Sequence, residues 1–138
     1  MSSYPNAYLY KRIVQAKLYI DAHFHDPIDL DNIADEAFFS KFHFIRLFRK
    51  AYGYTPHQYL TKVRINEARE LLKKGMMVGD VCIAVGFDSP GSFTSLFRKN
   101  CGLTPSAFRS EWLKRRSRIA ESPLEFIPHC FATSKGWT

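Results

Sequence analysis

An all-α fold of about seven helices, built as two helix-turn-helix subdomains joined by a long linker helix, follows from three features of the 138-residue sequence. One is a duplication: residues 47–56 read LFRKAYGYTP and residues 96–105 read LFRKNCGLTP. Another is a full set of helix start and stop residues in each copy. The third is apolar spacing of helical period, with no convincing alternating segment that would mark a strand.

Aligned at a constant offset of 49, residues 40–60 match residues 89–109 at nine of 21 positions. Ser40, Phe44, Leu47, Phe48, Arg49, Lys50, Gly53, Thr55 and Pro56 recur as Ser89, Phe93, Leu96, Phe97, Arg98, Lys99, Gly102, Thr104 and Pro105. The two serines stand where an N-cap is wanted, since a hydroxyl there accepts from the open N–H groups of the next turn. Gly53 and Gly102 fit the stop, where a left-handed backbone is cheap only for glycine. Thr-Pro then opens another helix, with proline at the first position, where its missing N–H costs nothing.

A shorter helical segment precedes each serine, at residues 31–37 and 79–85. At an offset of 48, Ile33, Ala37 and Phe39 correspond to Val81, Val85 and Phe87, so Asp88 lengthens the second turn by one residue. Gly86 supplies the reversal there. A short helix, a tight turn and a longer helix with an apolar inner stripe form a helix-turn-helix. Helices over residues 8–24 and 56–74 complete the plan. It divides into an N-terminal unit at 8–60, a linker continuation at 61–74, a C-terminal unit at 75–116 and a tail at 117–138.

The length suits one compact domain or two small ones sharing a core, and excludes a large multidomain enzyme. A hydrophobic fraction of 46% with 12 Phe and 7 Tyr is enough to bury that core without disulfides or a structural metal. Cys82, Cys101 and Cys130 are odd in number and widely spaced, which fits neither a disulfide framework nor a zinc pattern and suits a reducing cytoplasm. No apolar run is long enough for a secretion signal or membrane span. His23, His25 and Asp26 are neighbours, but they read as a helix end and loop. His43, His57 and His129 are scattered, and Cys82 falls on an apolar helix face. No metal, cofactor or catalytic residue is therefore expected, and the chain reads as a binding protein rather than an enzyme.

The net charge of +7 is distributed in register with the repeat. Residues 1–39 carry −3, 40–74 carry +7, 75–88 carry −2, 89–118 carry +6 and 119–138 carry −1. Two basic zones flanking an acidic connector match two contact surfaces for a phosphate backbone; a pair of solvated helix faces is the plain alternative.

With Phe44, Leu47, Phe48 and Ala51 turned inward, the outer face of the first long helix shows Lys41, Phe42, Ile45, Arg46 and Arg49, and no acid. Arg46 can pair both hydrogen-bond acceptors of a guanine edge, while Phe42 and Ile45 can meet thymine methyls. The alternatives are a phosphate contact or a solvated side chain for Arg46 and core packing for Phe42. The second copy has Pro90, Gly91, Ser92, Thr94 and Ser95 at the matching places, leaving no long reader. Arg98 and Lys99 suit phosphates, so the first unit supplies most base discrimination and the second mainly position. A linker helix over residues 56–73 spans about 27 Å at roughly 1.5 Å per residue, near the ~34 Å of one DNA turn. A monomer could thus present both helices to one duplex, which would then have to bend.

The segments IADEAFFSKFHFIRLFRKAYGYTPHQYL, VRINEARELL and VCIAVGFDSPGSFTSLFRKNCGLTPSAFR resemble the DNA-binding domain of the AraC family. The resemblance implies a homeodomain-like pair of helix-turn-helix units in a transcription regulator, usually an activator that contacts RNA polymerase. It places Phe42, Ile45, Arg46, Ser92 and Ser95 at bases. Ser40, Lys41, Arg49, Lys50, Arg64, Ser89, Thr94, Arg98 and Lys99 are the expected backbone contacts. Phe38 stands where the family commonly has glycine in the first turn, and Pro90-Gly91 replaces polar readers in the second helix. Many relatives carry a further ligand-binding or dimerisation domain; this chain reads as a stand-alone regulator or the DNA-binding part of a longer one. A helical protein-interaction module using Phe42 and Ile45 is the competing interpretation, and it leaves the two basic zones unexplained.

Overall fold

The computed structural model describes residues 4–31 and 41–121. Six helices occupy them: α1 (Tyr4–His23), α2 (Lys41–Tyr52), α3 (Pro56–Lys73), α4 (Val78–Ala84), α5 (Pro90–Cys101) and α6 (Pro105–Glu121). Of the expected segment at 31–37 only Asp31 is described; residues 32–37, Phe38, Ser40 and the tail from residue 122 lie outside the described residues. α1 begins four residues earlier than its apolar spacing predicts, and α6 runs past residue 116 to Glu121.

Local chemistry sets the ends of these helices. Thr55 accepts from the Gln58 N–H at 3.2 Å, and the Gln58 side chain accepts from the Thr55 N–H at 3.0 Å, a closed capping box at the start of α3. Ser89 accepts from the Ser92 N–H at 3.1 Å, and Thr104 accepts from the Ala107 N–H at 3.2 Å. Gly102 ends α5 in the left-handed region at φ 79°, with its N–H on the Arg98 carbonyl, and Gly53 repeats that conformation after α2.

Two cores form, and the same aromatic arrangement organises both. In the first, Phe44 and Phe48 lie 6.1 Å apart and Phe48 meets Tyr59 edge-on at 5.8 Å. In the second, Phe93 and Phe97 lie 5.8 Å apart and Phe97 meets Phe108 edge-on at 5.4 Å. Each position is shifted by the 49-residue offset. Ile13, Ala16, Ile20 and Leu30 close the first core; Ile65, Ala68, Leu72, Val81, Cys82 and Val85 close the second. Helix α3 contributes to both, through Leu60 in the first and Ile65 onward in the second, and packs against each of the other five described helices.

One inward position departs from expectation. Ala51 is exposed and Tyr52 is half-buried in its place, its ring 5.0 Å from Phe48. The inner stripe of α2 follows the four-residue row 44, 48, 52, so the ring at 52 covers the core end and rotates residue 51 outward.

Each unit also has an arginine clasping a helix-ending turn. Arg109 donates Nη2 to the Gly75 carbonyl at 3.0 Å and Nε to the Met76 carbonyl at 3.1 Å, after α3. Arg64 does the same for the turn after α1, with Nε on the Phe24 carbonyl at 2.7 Å and Nη2 on the Asp26 carbonyl at 3.0 Å.

Tyr59 donates to Asp21 Oδ1 at 2.5 Å, joining α3 to α1. Burial, then the hydrogen bond to Asp21 and its charge, push the phenol up to about 12 from 10.0. Between those values the folded chain keeps a proton that the unfolded chain releases. The stabilisation is therefore complete below pH 10.0 and falls as pH rises toward about 12. Tyr59→Phe is expected to flatten the alkaline fall in urea midpoint between about pH 9 and about pH 11.5; an unchanged slope would disprove the link.

Candidate nucleic-acid interface

α2 and α5 are the two helices whose outer faces carry the basic repeat residues, and both reach one open cleft of about 570 Å³. Arg49 enters it from α2 and Gly53 from the bend after it, Leu96, Lys99 and Asn100 from α5, and His57, Thr61 and Lys62 from the opening turns of α3. Three of its lining residues are Lys or Arg, and none is acidic. Lys62 sits 5.1 Å over the Tyr54 ring, which holds a cation at the rim. Of the expected contacts, Arg49 and Lys99 line this acid-free recess, whereas Phe42, Ile45, Arg46, Ser92 and Ser95 are not among its lining residues.

On α2, Lys41, Phe42, Arg46, Arg49 and Lys50 are exposed. Phe42 is 77% exposed, too open for a core role, so the alternative of simple packing is set aside. Arg46 makes no ion pair among the described residues, which leaves its planar fork of donors available.

Two neighbours behave differently from the sequence reading. Ile45 is half-buried and lines an apolar hollow of about 150 Å³ with Leu30, Phe44 and Pro56. Lys41 Nζ lies 2.7 Å from Asp31 Oδ1, so an acid does reach this face, from a different element. Exposed pairs of this kind contribute about 0–1 kcal/mol, and a phosphate can compete for the lysine.

On α5, Ser92, Ser95, Arg98 and Lys99 are exposed and Thr94 is half-buried. Ser89 is engaged as N-cap, so its hydroxyl already has a donor. Pro90 and Gly91 are exposed and bring backbone rather than a reading side chain to the helix start. Arg64, expected among the phosphate contacts, is instead half-buried with its guanidinium on two carbonyls, and Ser40 lies outside the described residues.

The cleft also gathers His57, Lys62 and Asn100, which the repeat alignment did not single out. Polar four-residue spacing at Gln58 and Lys62, opposite buried Leu60, is the signal that could have found the α3 contribution. Among the described residues, no group of three His, Cys, Asp or Glu could hold a metal ion. His23 Nδ1 and His25 Nε2 stand 3.7 and 3.8 Å from Asp26 Oδ2, exposed contacts that become ion pairs only when the imidazole is protonated. No helix among the described residues is long and apolar enough to cross a membrane.

Two helix-turn-helix units presenting basic helices to one recess define a DNA-binding domain of a transcription regulator. A model of the helix-turn-helix domain family matches residues 33–111. The chain belongs to the AraC-type family of helix-turn-helix regulators. It is 36% identical over 92 residues to the bifunctional transcriptional activator/DNA repair enzyme AdaA of Bacillus subtilis, covering 66% of this chain and 44% of AdaA. Similarity to the HTH-type transcriptional regulator YbfP of the same bacterium is 32% over 130 residues, 93% of this chain and 42% of YbfP. The chain thus spans less than half the length of both relatives. The DNA-binding domain of AdpA, solved in complex with a target DNA, has a TM-score of 0.67 at 28% identity, covering 80% of this chain and 96% of that one.

Phe42→Ala is expected to leave the thermal midpoint nearly unchanged, within about 0.5 kcal/mol of stability, because the side chain is open to solvent. The same variant is expected to weaken duplex binding, read by fluorescence anisotropy; a large loss of stability would return Phe42 to the core.

Proposed function

We propose that the chain reads a bipartite site on double-stranded DNA, with α2 supplying base discrimination and α5 supplying position and affinity. The single observation that carries this reading is the shared, acid-free cleft flanked by both helices. Arg46 pairs a guanine edge and Phe42 meets thymine methyls, with Ile45 restricted to a partial contact by its burial. Ser92 and Ser95 touch bases without strong preference. Lys41, Arg49, Lys50, Thr94, Arg98 and Lys99 hold phosphates, joined by Lys62 of the cleft.

The chain acts in the cytoplasm on the nucleoid, as a binding module without catalysis of its own. Relatives named as activators support an activating role, and RNA polymerase is the partner that role requires. One copy carries both reading helices and so engages DNA as a monomer; within a longer protein it would work as part of a dimer. The competing interaction-module reading needs a continuous apolar patch at Phe42 and Ile45, and the half-burial of Ile45 removes one of its two anchors.

Selection from random duplexes supplies the site, and binding is then followed against salt. With about six Lys and Arg phosphate contacts, the slope of log K against log salt should lie near −5 to −6. Arg46→Ala should cost about 1–3 kcal/mol on the selected site and relax preference at one base pair. Absence of low-salt duplex binding, or an equal loss on every sequence, would defeat the reading.

A further inference from the structure

The turn after α1 meets the second unit through backbone rather than side chains. Gly86, in the reversal between α4 and α5, has φ 93°, and a Cβ built there would stand 2.9 Å from the Phe24 carbonyl oxygen and 3.0 Å from that of His25. Only glycine permits so close an approach with that backbone. The reversal is therefore seated directly on the first unit.

Arg64 locks the same turn from the other side. Its Nε and Nη2 hold the Phe24 and Asp26 carbonyls, while its guanidinium carbon lies 5.8 Å from the centre of the Phe87 ring, next to Gly86. Phe87 in turn packs on Phe93 of α5 at 5.2 Å. A chain of contacts thus runs from the end of α1, through the middle of α3, into the base of the second recognition helix. Burial pulls the Arg64 guanidinium below its ordinary value and the charge of Asp88 opposes that shift, consistent with an arginine set into a junction. Its repeat counterpart in role, Arg109, clasps a turn whose two sides both belong to the second half of the chain.

We infer that Arg64 and Gly86 are positioning residues that set the half-site spacing the protein accepts, by fixing the second recognition helix relative to the first. This rests on the bipartite DNA reading above. One added base pair moves the second groove window by about 3.4 Å and turns it by about 35°, so a fixed junction must reject it. A loosened junction lets the second unit follow the groove, at the expense of the effective concentration that joins the two contacts. Lysine keeps the charge but cannot fork across two carbonyls, which separates this role from a phosphate contact.

The test uses the full chain and the selected duplex, together with duplexes carrying one base pair more or fewer between the halves. Wild type should prefer the selected spacing by about tenfold or more. Arg64→Lys and Arg64→Ala should bring that ratio toward unity, leave the salt slope unchanged and leave the isolated first half-site bound within about twofold. Arg109→Lys, which disturbs a turn of the second unit, should keep the wild-type spacing preference. A wild-type ratio retained in both Arg64 variants, equal relaxation in Arg109→Lys, or a salt slope shallower by about one in Arg64→Ala would each overturn the inference while leaving bipartite binding intact. Failure of the wild-type chain to bind the duplex at all would instead remove the DNA reading and the inference with it.

Discussion

One helix serves two cores, and the rest of the structure depends on that sharing. Leu60 of α3 is buried with Phe44 and Phe48, while Ile65, Ala68 and Leu72 are buried with Phe93 and Phe97. Each of these larger side chains contributes on the order of 1.5–3 kcal/mol when removed from water. Both units therefore gain stability from the same backbone, and each recognition helix inherits its position from it. The Thr55 capping box and the turn at Gly75 mark where this shared element begins and ends.

The repeat shows which positions core packing constrains and which it leaves free. Phe44, Phe48 and Tyr59 keep their geometry as Phe93, Phe97 and Phe108, because an edge-on ring contact in a small core tolerates little change in shape. On the outer face, Phe42 and Arg46 align with Gly91 and Ser95, since no packing restrains those positions. The inner face carries the family fold, and the outer face is free to vary between the copies. A second exchange occurs inside: Leu60 and Arg64 align with Arg109 and Leu113, so arginine and leucine trade places one helical turn apart. Both arginines hold carbonyls at a helix-ending turn, but only Arg64 does so across the seam between units.

The cleft between α2 and α5 shows how packing gathers charge. Its cations come from three separate helices, and long-range attraction for a polyanion depends on that convergence rather than on total charge. Lys41 illustrates the difference. Its own helix offers no acid, yet Asp31 reaches it from a segment ten residues away and partly neutralises it.

By itself the sequence determined the helices, their order and the duplication, because caps, glycine stops and apolar spacing act within one or two turns. It also marked the exposed basic face of α2, since helical geometry ties residue number to direction. Tertiary structure alone decided the depth of Ile45, the inward turn of Tyr52 in place of Ala51, the partner of Lys41 and the carbonyls held by Arg64. Tyr52 turns toward rings close by in sequence, Phe48 and Tyr59; the others depend on which atoms from 10 to 40 residues away arrive beside a long side chain, a proximity set by core packing rather than by any local pattern.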